Sequence, residues 1–234
     1  MKNNLVVFSG AGMSAESGIS IFRDSGGLWE KHSIEEVATP LAWKRNPDLV
    51  TDFYNKRRKQ IIESQPNKAH LFFAKLQNSC SVHIITQNID DLHERAGSSS
   101  VLHLHGNIRF AKSSNGEDKQ LYSIDGWALH AEDRCPNGFR LRPHVVWFGE
   151  DVPEYSNAIP FISSADVFIV LGTSLQVFPA AGLIEYASAK AVKIIVDPNV
   201  EDFQIPKDFI KLKASAVDAI PELEKMLRSL GLIS

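Results

Sequence analysis

Cysteine is scarce in this chain. Among 234 residues there are two, Cys80 and Cys135, and neither belongs to a Cys-x-x-Cys pair, which argues against a disulfide framework and suits a reducing compartment. Long apolar runs are also missing. The N-terminal run LVVF at residues 5–8 is too short for the hydrophobic region of a signal peptide, and no later stretch reaches the roughly 18–20 residues that span a bilayer. The expectation is a cytoplasmic protein with no membrane partner. Nor is there a basic excess: the formal charge of −3 argues against nucleic acid, whose phosphates need a clustered positive surplus. The local run Lys56, Arg57, Arg58, Lys59 reads as a solvated helix face, as most charge runs do. No internal repeat or low-complexity segment is present, and a monomer is expected.

What is present is enough apolar material for a full core, 44% of the residues, in one large domain or one with an insertion. Short β-branched runs punctuate the chain: LVVF at Leu5, SVHIITQN at Ser81, VLHLHGN at Val101, HVVWFGE at His144, DVFIVLGTS at Asp166 and VKIIVDPN at Val192. Most are continuous rather than alternating, the mark of strands buried on both faces. Helical patterns separate them at 47–63, 67–76, 180–188 and 220–230. Alternating strands and helices predict an α/β fold, a Rossmann-like parallel sheet with helices on both faces. Four strands end in polar or glycine-bearing tips (SGAG, TQNID, GTS and DPN), which would build a cleft if they share one end of the sheet. Each tip alone is equally well a turn.

Gly10, Gly12 and Ala15 follow the first strand in the G-x-G-x-x-G/A spacing of a phosphate loop, where small side chains let backbone N–H groups approach an anion. An ordinary dinucleotide fold would then place an acidic strand tip about twenty residues on. That position falls at Glu30, in RDSGGLWEKH, which does not read as a strand end, so hydride-transfer chemistry loses its main support. Two segments interrupt the alternation. Residues 30–63 read as a helical insertion, and 110–142, polar and turn-rich without sustained period, as a small module; 1–29, 64–109 and 143–234 form the Rossmann-like domain.

The stretches GAGMSAESGISIFR, TQNIDDLHERAG, HLHGN, RPHVVWFGE and GTSLQVFPAAG, in this order and at these separations, resemble the sirtuins, the NAD-dependent protein-lysine deacylases. The likeness runs from Leu5 to about Leu230. ATPLAWKRNPDLVTDFYNKRR further resembles members that carry Tyr-x-x-Arg, here Tyr54 and Arg57.

The resemblance implies that NAD is a reactant: the acyl-lysine amide oxygen attacks the ribose carbon bearing nicotinamide, nicotinamide leaves, and the acyl group ends on ADP-ribose. Such a site needs positioning and a base for a ribose hydroxyl rather than a strong protein nucleophile. His105 matches the base, Asn88 the group that orients ribose and a water, and Asp90 the partner of the nicotinamide carboxamide. Gly10, Ala11, Gly12, Ser14, Phe22 and Arg23 map to the cofactor loop, Phe22 shielding the reactive ribosyl face and Arg23 reaching a phosphate. Gln87 maps to a ribose contact, Gly172, Thr173 and Ser174 to a second phosphate and ribose loop, and Asp197 and Asn199 to the adenosine. Val145, Val146, Trp147, Phe148 and Gly149, within HVVWFGE, match the strand that pairs with an acyl-lysine peptide through its main chain. Tyr54 and Arg57, three apart on a predicted helix, match the pair that receives succinyl, malonyl or glutaryl groups, since a guanidinium beside a phenol suits a carboxylate.

Plain structural roles are equally compatible with each residue type: a core histidine, a helix cap, a surface arginine paired with Asp52 or Glu63. The chain also departs from the family. Most sirtuins hold a structural zinc with two Cys-x-x-Cys pairs, whereas 110–142 contains only Cys135, and Cys135 with His130 supplies at most two of four ligands. No metal is expected; the module is held by packing, through Tyr122, Trp127 and Phe139, or is partly disordered. The rival readings are NAD hydrolysis or ADP-ribosyl transfer on the same site, and a non-enzymatic NAD sensor.

Overall fold

The computed structural model describes residues 3–19 and 32–233; Phe22, Arg23 and Glu30 lie outside these. In chain order the elements are β1 (Asn4–Ser9), α1 (Gly12–Ala15), α2 (Ile34–Val37), α3 (Pro40–Arg45), α4 (Pro47–Glu63), α5 (Lys68–Leu76), β2 (Ser81–Thr86), α6 (Leu92–Arg95), β3 (Val101–His103), β4 (Gly106–Ser113), β5 (Leu121–Ser123), β6 (Leu141–Val145), α7 (Tyr155–Ser163), β7 (Val167–Leu171), a 3-10 helix (Ala180–Tyr186), β8 (Val192–Val196), a 3-10 turn (Val200–Asp202), β9 (Phe209–Leu212) and α8 (Ile220–Ser229).

Six strands form one sheet in the order β3-β2-β1-β7-β8-β9, and every pairing is parallel. The two-residue period of a strand explains the continuous apolar runs: alternate side chains feed opposite cores. Leu5 and Val7 of β1 join Ile169 of β7 and Ile194 of β8 against Phe73 of α5 and Leu223 and Leu227 of α8. Val6 and Phe8 join Phe168, Val170 and Ile195 on the other face, against Ala158 and Ile162 of α7 and Leu183 of the 3-10 helix. The expected α/β sheet with helices on both faces is therefore present.

Three local expectations are corrected. The strand anticipated over 144–150 stops at Val145 and belongs to a second, antiparallel sheet of order β5-β4-β6; residues 146–150 leave it as a turn. A positive φ of 87° at Gly149 and the Glu150 carboxylate, which accepts from the Trp147 backbone N–H at 2.8 Å, close that turn. The helix anticipated over 180–188 is a 3-10 helix ending at Tyr186. The segment 110–142, without visible period in the sequence, carries the end of β4, all of β5 and the start of β6, with Ala111, Ile124, Leu129, Cys135 and Leu141 buried together and Tyr122 packed on them. Trp127 and Phe139, expected in that packing, are exposed.

Helix α4 spans the anticipated 47–63. Asn46 caps it, accepting from the Leu49 backbone N–H at 3.0 Å, and Pro47 occupies its first position, where a missing N–H costs nothing. Its basic run is not uniformly solvated. Lys56 and Lys59 are exposed, whereas Arg57 and Arg58 are buried. Arg58 donates from Nε to the Ile108 carbonyl (2.6 Å) and from Nη1 to the Asn55 Oδ1 (2.6 Å) and the Trp127 carbonyl (2.9 Å), while Asn55 also donates to and accepts from the Leu129 backbone. The helix is thus bolted by polar bonds to β4 and to the loop beyond β5. Among the described residues no helix is long and apolar enough to cross a membrane.

Candidate active site

The four polar tips follow β2, β1, β7 and β8, which are consecutive neighbours in the sheet, so they meet at its carboxyl edge. They border one cavity of about 960 Å³. A parallel sheet whose connections diverge to opposite faces leaves its ligand crevice there. The glycines let two loops close on each other. A Cβ on Gly10 would stand 2.6 Å from the Thr173 Cβ, and one on Gly12 would stand 2.7 Å from the Gly172 Cα. The two loops lie directly on each other, joined by the Gly12 N–H to the Gly172 carbonyl at 2.8 Å. Gly172 itself has φ +61°, the left-handed region that favours glycine. α1 is a single turn, so the backbone of the loop rather than a long helix faces the cavity.

Every proposed site residue among those described lines this cavity: Gly10, Ala11, Gly12 and Ser14 from the first loop; Gln87, Asn88 and Asp90 after β2; His105; Gly172, Thr173 and Ser174 after β7; Asp197 and Asn199 after β8; Val145 to Gly149; and Tyr54 with Arg57. Phe22 and Arg23 lie outside the described residues.

His105 occupies the turn between β3 and β4, not a strand. Its Nδ1 donates to the Gln87 carbonyl at 2.9 Å. A carbonyl can only accept, so the proton resides on Nδ1 and Nε2 keeps its lone pair. Burial lowers the pKa below the usual histidine value, the Gln87 bond opposing only in part, so the ring is neutral at neutral pH. His103, two residues earlier, has the opposite character. Burial would discharge it, but Glu94, 2.7 Å from Nε2, together with the Asn88 carbonyl 3.0 Å from Nδ1, raises its pKa.

Asn88 and Asp90 are held by Ser14, which is fully buried. The Ser14 hydroxyl donates to Asp90 Oδ2 at 3.0 Å and accepts from Asn88 Nδ2 at 3.1 Å; Asn88 Nδ2 also donates to the Gly10 carbonyl at 3.0 Å. Burial raises the Asp90 pKa, with the Leu92 N–H and the Ser14 hydroxyl pulling the other way. Gln87 Nε2 donates to the Thr173 hydroxyl at 2.9 Å, tying the β2 and β7 tips together. Asp197 Oδ1 accepts from the Asn199 N–H at 2.9 Å, and burial raises its pKa.

Tyr54 and Arg57 share the inward face of α4. Burial drives the phenol pKa up, Arg57 opposing it, and lowers that of the guanidinium, with Tyr54 and then Asp90 opposing. Asp52, a possible partner of Arg57, instead pairs with Lys56 at 2.6 Å. The turn after β6 is braced by Arg142, which grips Glu150 with Nη1 and Nη2 at 2.6 and 3.0 Å and stacks on Trp147. The Val146 N–H donates to the His105 carbonyl at 2.9 Å, so the turn and the histidine are coupled.

The sequence reading missed Ser215 and Ala216, cavity residues beyond β9. β9, Phe209–Leu212, reads FIKL, and its single lysine and short length left no strand signal. In the small module Cys135 Sγ is engaged with Ser113 Oγ at 3.4 Å, and among the described residues no group of three or more His, Cys, Asp or Glu is placed to hold a metal ion.

A parallel sheet with paired glycine loops at its carboxyl edge, and a neutral histidine, an amide and a carboxylate beneath them, defines a nucleotide-binding α/β enzyme site. The comparisons with known proteins make the class specific. The Sir2 family model matches residues 10–179. An NAD-dependent protein deacylase of Bacteroides thetaiotaomicron is 45% identical over 96% of this chain and 97% of its own, and one of Helicobacter pylori is 48% identical over 94% and 95%. A solved Sir2 homologue–NAD complex superposes with a TM-score of 0.85 at 36% identity, over 99% of this chain and 91% of that one. The chain belongs to the Sir2 family.

Proposed function

We propose that this protein is an NAD-dependent protein-lysine deacylase that prefers acyl groups ending in a carboxylate, such as succinyl and malonyl, while retaining some deacetylation. The deacylase assignment rests on family membership and on the names of relatives that match nearly the whole chain. Solved relatives bound to NAD, to ADP-ribose, and to a deacetylated peptide with acetyl ADP-ribose support NAD and an acyl-lysine protein as the reactants. The observation that carries the acidic preference is the placement of Tyr54 and Arg57 in the same cavity as His105, Asn88 and Asp90.

Bound NAD supplies the ribosyl carbon to which the acyl oxygen is transferred. His105 Nε2 takes the proton of a ribose hydroxyl, a role that needs the unprotonated lone pair left by the Nδ1 bond to Gln87. Asn88 and Asp90, pre-set by Ser14, orient the ribose and the carboxamide. The glycine loops and Thr173 take the phosphates, Asp197 and Asn199 the adenosine, and Phe22 and Arg23 cover the cofactor. The turn 145–149 receives the peptide. The same reading assigns 1–29, 64–109 and 143–234 to the NAD-binding domain, 30–63 to a helical insertion and 110–142 to a module that needs no zinc, its antiparallel strands reaching slightly beyond those limits.

A base with a lowered pKa stays active above its own pKa. The deacylation rate, as kcat/KM, is expected to be flat through neutral pH and to fall about tenfold per pH unit only well below about 6.5; an inflection above that value would remove His105 as the base. The substrate preference is tested with matched acetyl- and succinyl-lysine peptides, following nicotinamide release and acyl-ADP-ribose. Arg57→Met should cut succinyl turnover by about 10–100-fold, the worth of a charge-assisted bond, and leave acetyl turnover within about threefold. Equal losses on both peptides would refute the carboxylate role. Free ADP-ribose formed regardless of peptide would replace deacylation by NAD hydrolysis.

A further inference from the structure

β2 ends at Thr86, and Gln87, Asn88 and Ile89 beyond it belong to no strand or helix, so no ladder serves their carbonyls. A carbonyl shielded from water needs a donor from elsewhere. The Ile89 carbonyl accepts from the Ile108 backbone N–H at 2.8 Å. The other two are taken by histidines two residues apart: His105 Nδ1 donates to the Gln87 carbonyl at 2.9 Å, and His103 Nδ1 to the Asn88 carbonyl at 3.0 Å. Parallel pairing of Thr86 with His103 sets that register. The rings differ at the other nitrogen, for His103 Nε2 lies 2.7 Å from Glu94 Oε1 of α6. A carbonyl and a carboxylate only accept, so His103 carries a proton on each nitrogen and is an imidazolium; the Asn107 Nδ2, at 3.3 Å from Nε2, is the weaker neighbour. Burial would discharge the ring, but Glu94, the Asn88 carbonyl and Asp90 hold its pKa above the usual histidine value. Bonds from a charged donor are stronger than neutral ones. Neither His103 nor Glu94 lines the cavity, whereas Asn88 and Asp90 do.

We propose that Glu94 and His103 are a pair of positioning residues for NAD: from outside the cavity the imidazolium fixes the Asn88 carbonyl and so sets the Asn88 and Asp90 side chains before the nicotinamide ribose arrives. This rests on the reading above that gives Asn88 the ribose and Asp90 the carboxamide. A strand tip ordered in advance spares the ligand the cost of ordering it. Once NAD is bound, its own contacts hold the tip, so the loss of His103 appears in affinity and not in the chemical step.

The test uses His103→Leu, which removes both bonds; His103→Asn, whose amide nitrogen can stand where Nδ1 does and keep the bond to Asn88; and Asn88→Ala as reference. Binding of carba-NAD, whose ribosyl bond cannot cleave, and of ADP is measured by calorimetry. Alongside, kcat and the KM for NAD are taken with whichever acyl-lysine peptide the unmodified enzyme turns over faster. His103→Leu should weaken carba-NAD about tenfold, the effect of one charge-assisted bond, and raise the KM for NAD to the same extent. ADP binding and kcat should change less than about threefold, since the phosphates and adenosine meet the loops after β1, β7 and β8. His103→Asn should return carba-NAD affinity to within about threefold of the unmodified protein. Equal losses on carba-NAD and ADP, or no recovery in His103→Asn, would reduce the pair to a structural role and overturn the proposal. If Asn88→Ala weakens carba-NAD while His103→Leu does not, only the role of His103 fails. If Asn88→Ala leaves carba-NAD binding unchanged, the placement of Asn88 at the ribose fails first, and the positioning role with it.

Discussion

His105→Ala should lower NAD-dependent deacylation by about 10²–10⁴-fold, the range for removing a positioned general base, while leaving the folded protein intact. Among the described residues the side chain makes a single hydrogen bond, Nδ1 to the Gln87 carbonyl. Losing one such bond costs about 1 kcal/mol, which for a domain of this size lowers the melting temperature by about 2–4 °C. The two readouts separate chemistry from folding: steady-state turnover collapses and the thermal transition barely moves. A variant retaining more than a tenth of the activity would show that the ribose proton leaves by another route. The neighbour His103 is the natural control, because its ring is engaged at both nitrogens, by the Asn88 carbonyl and Glu94, and has no free lone pair to offer.

Arg58→Met should be the most damaging single change to the fold outside the hydrophobic core. Arg58 is fully buried, and its removal strands the Ile108 and Trp127 carbonyls and takes one of two donors from the Asn55 Oδ1, which keeps the Leu129 N–H. Each buried acceptor left without a donor costs about 1–3 kcal/mol. Part of this is offset, because burial together with the charge of Arg109 already pulls the Arg58 pKa down to about 10, so the buried cation is itself costly. A net loss of about 3 kcal/mol is expected, a fall of about 6–12 °C in melting temperature. The module at 110–142 should loosen first: amide exchange should accelerate at Leu129, whose N–H is bonded to Asn55. Unchanged stability would mean that the apolar cluster around Ile124 and Leu141 suffices to hold the module. Arg58→Lys is not a mild alternative, since one ammonium cannot reproduce the guanidinium geometry that serves three acceptors.

Much of the sheet was legible because a strand buried on both faces must be apolar at every position. β1 and β7 are continuous apolar runs, and each was readable without knowing its neighbours. Helix α4 was legible to the residue because Asn46 and Pro47 mark its start by local chemistry alone. The polar tips could be seen as candidates, and their order along the chain carried the family resemblance.

Local pattern failed where a residue's environment comes from distant chain. HVVWFGE has the composition of a strand throughout, yet only its first two residues continue β6; the rest turns because Glu150 finds Arg142, eight residues back, and closes on the Trp147 backbone. The module 110–142 showed no period because its strands are short and half exposed, so no apolar stripe marks them. In Lys56, Arg57, Arg58 and Lys59 four like charges look alike in sequence. The first and last point to solvent, whereas the two arginines are buried, one toward the cavity and one toward the carbonyls of β4 and the loop beyond β5.

The sequence by itself determined that this chain is an α/β protein with polar strand tips and the motifs of a Sir2 deacylase, because periodicity and caps act over a few residues. Only the tertiary structure decided that β2, β1, β7 and β8 stand side by side, so that their tips share one cavity, and that His105 is left with a free Nε2. It also decided which arginine of the basic run lines the cavity. These depend on contacts between residues tens to more than a hundred positions apart, such as Gln87 with Thr173 and Gly12 with Gly172, and the free energy of such contacts appears only once the sheet has brought both ends together.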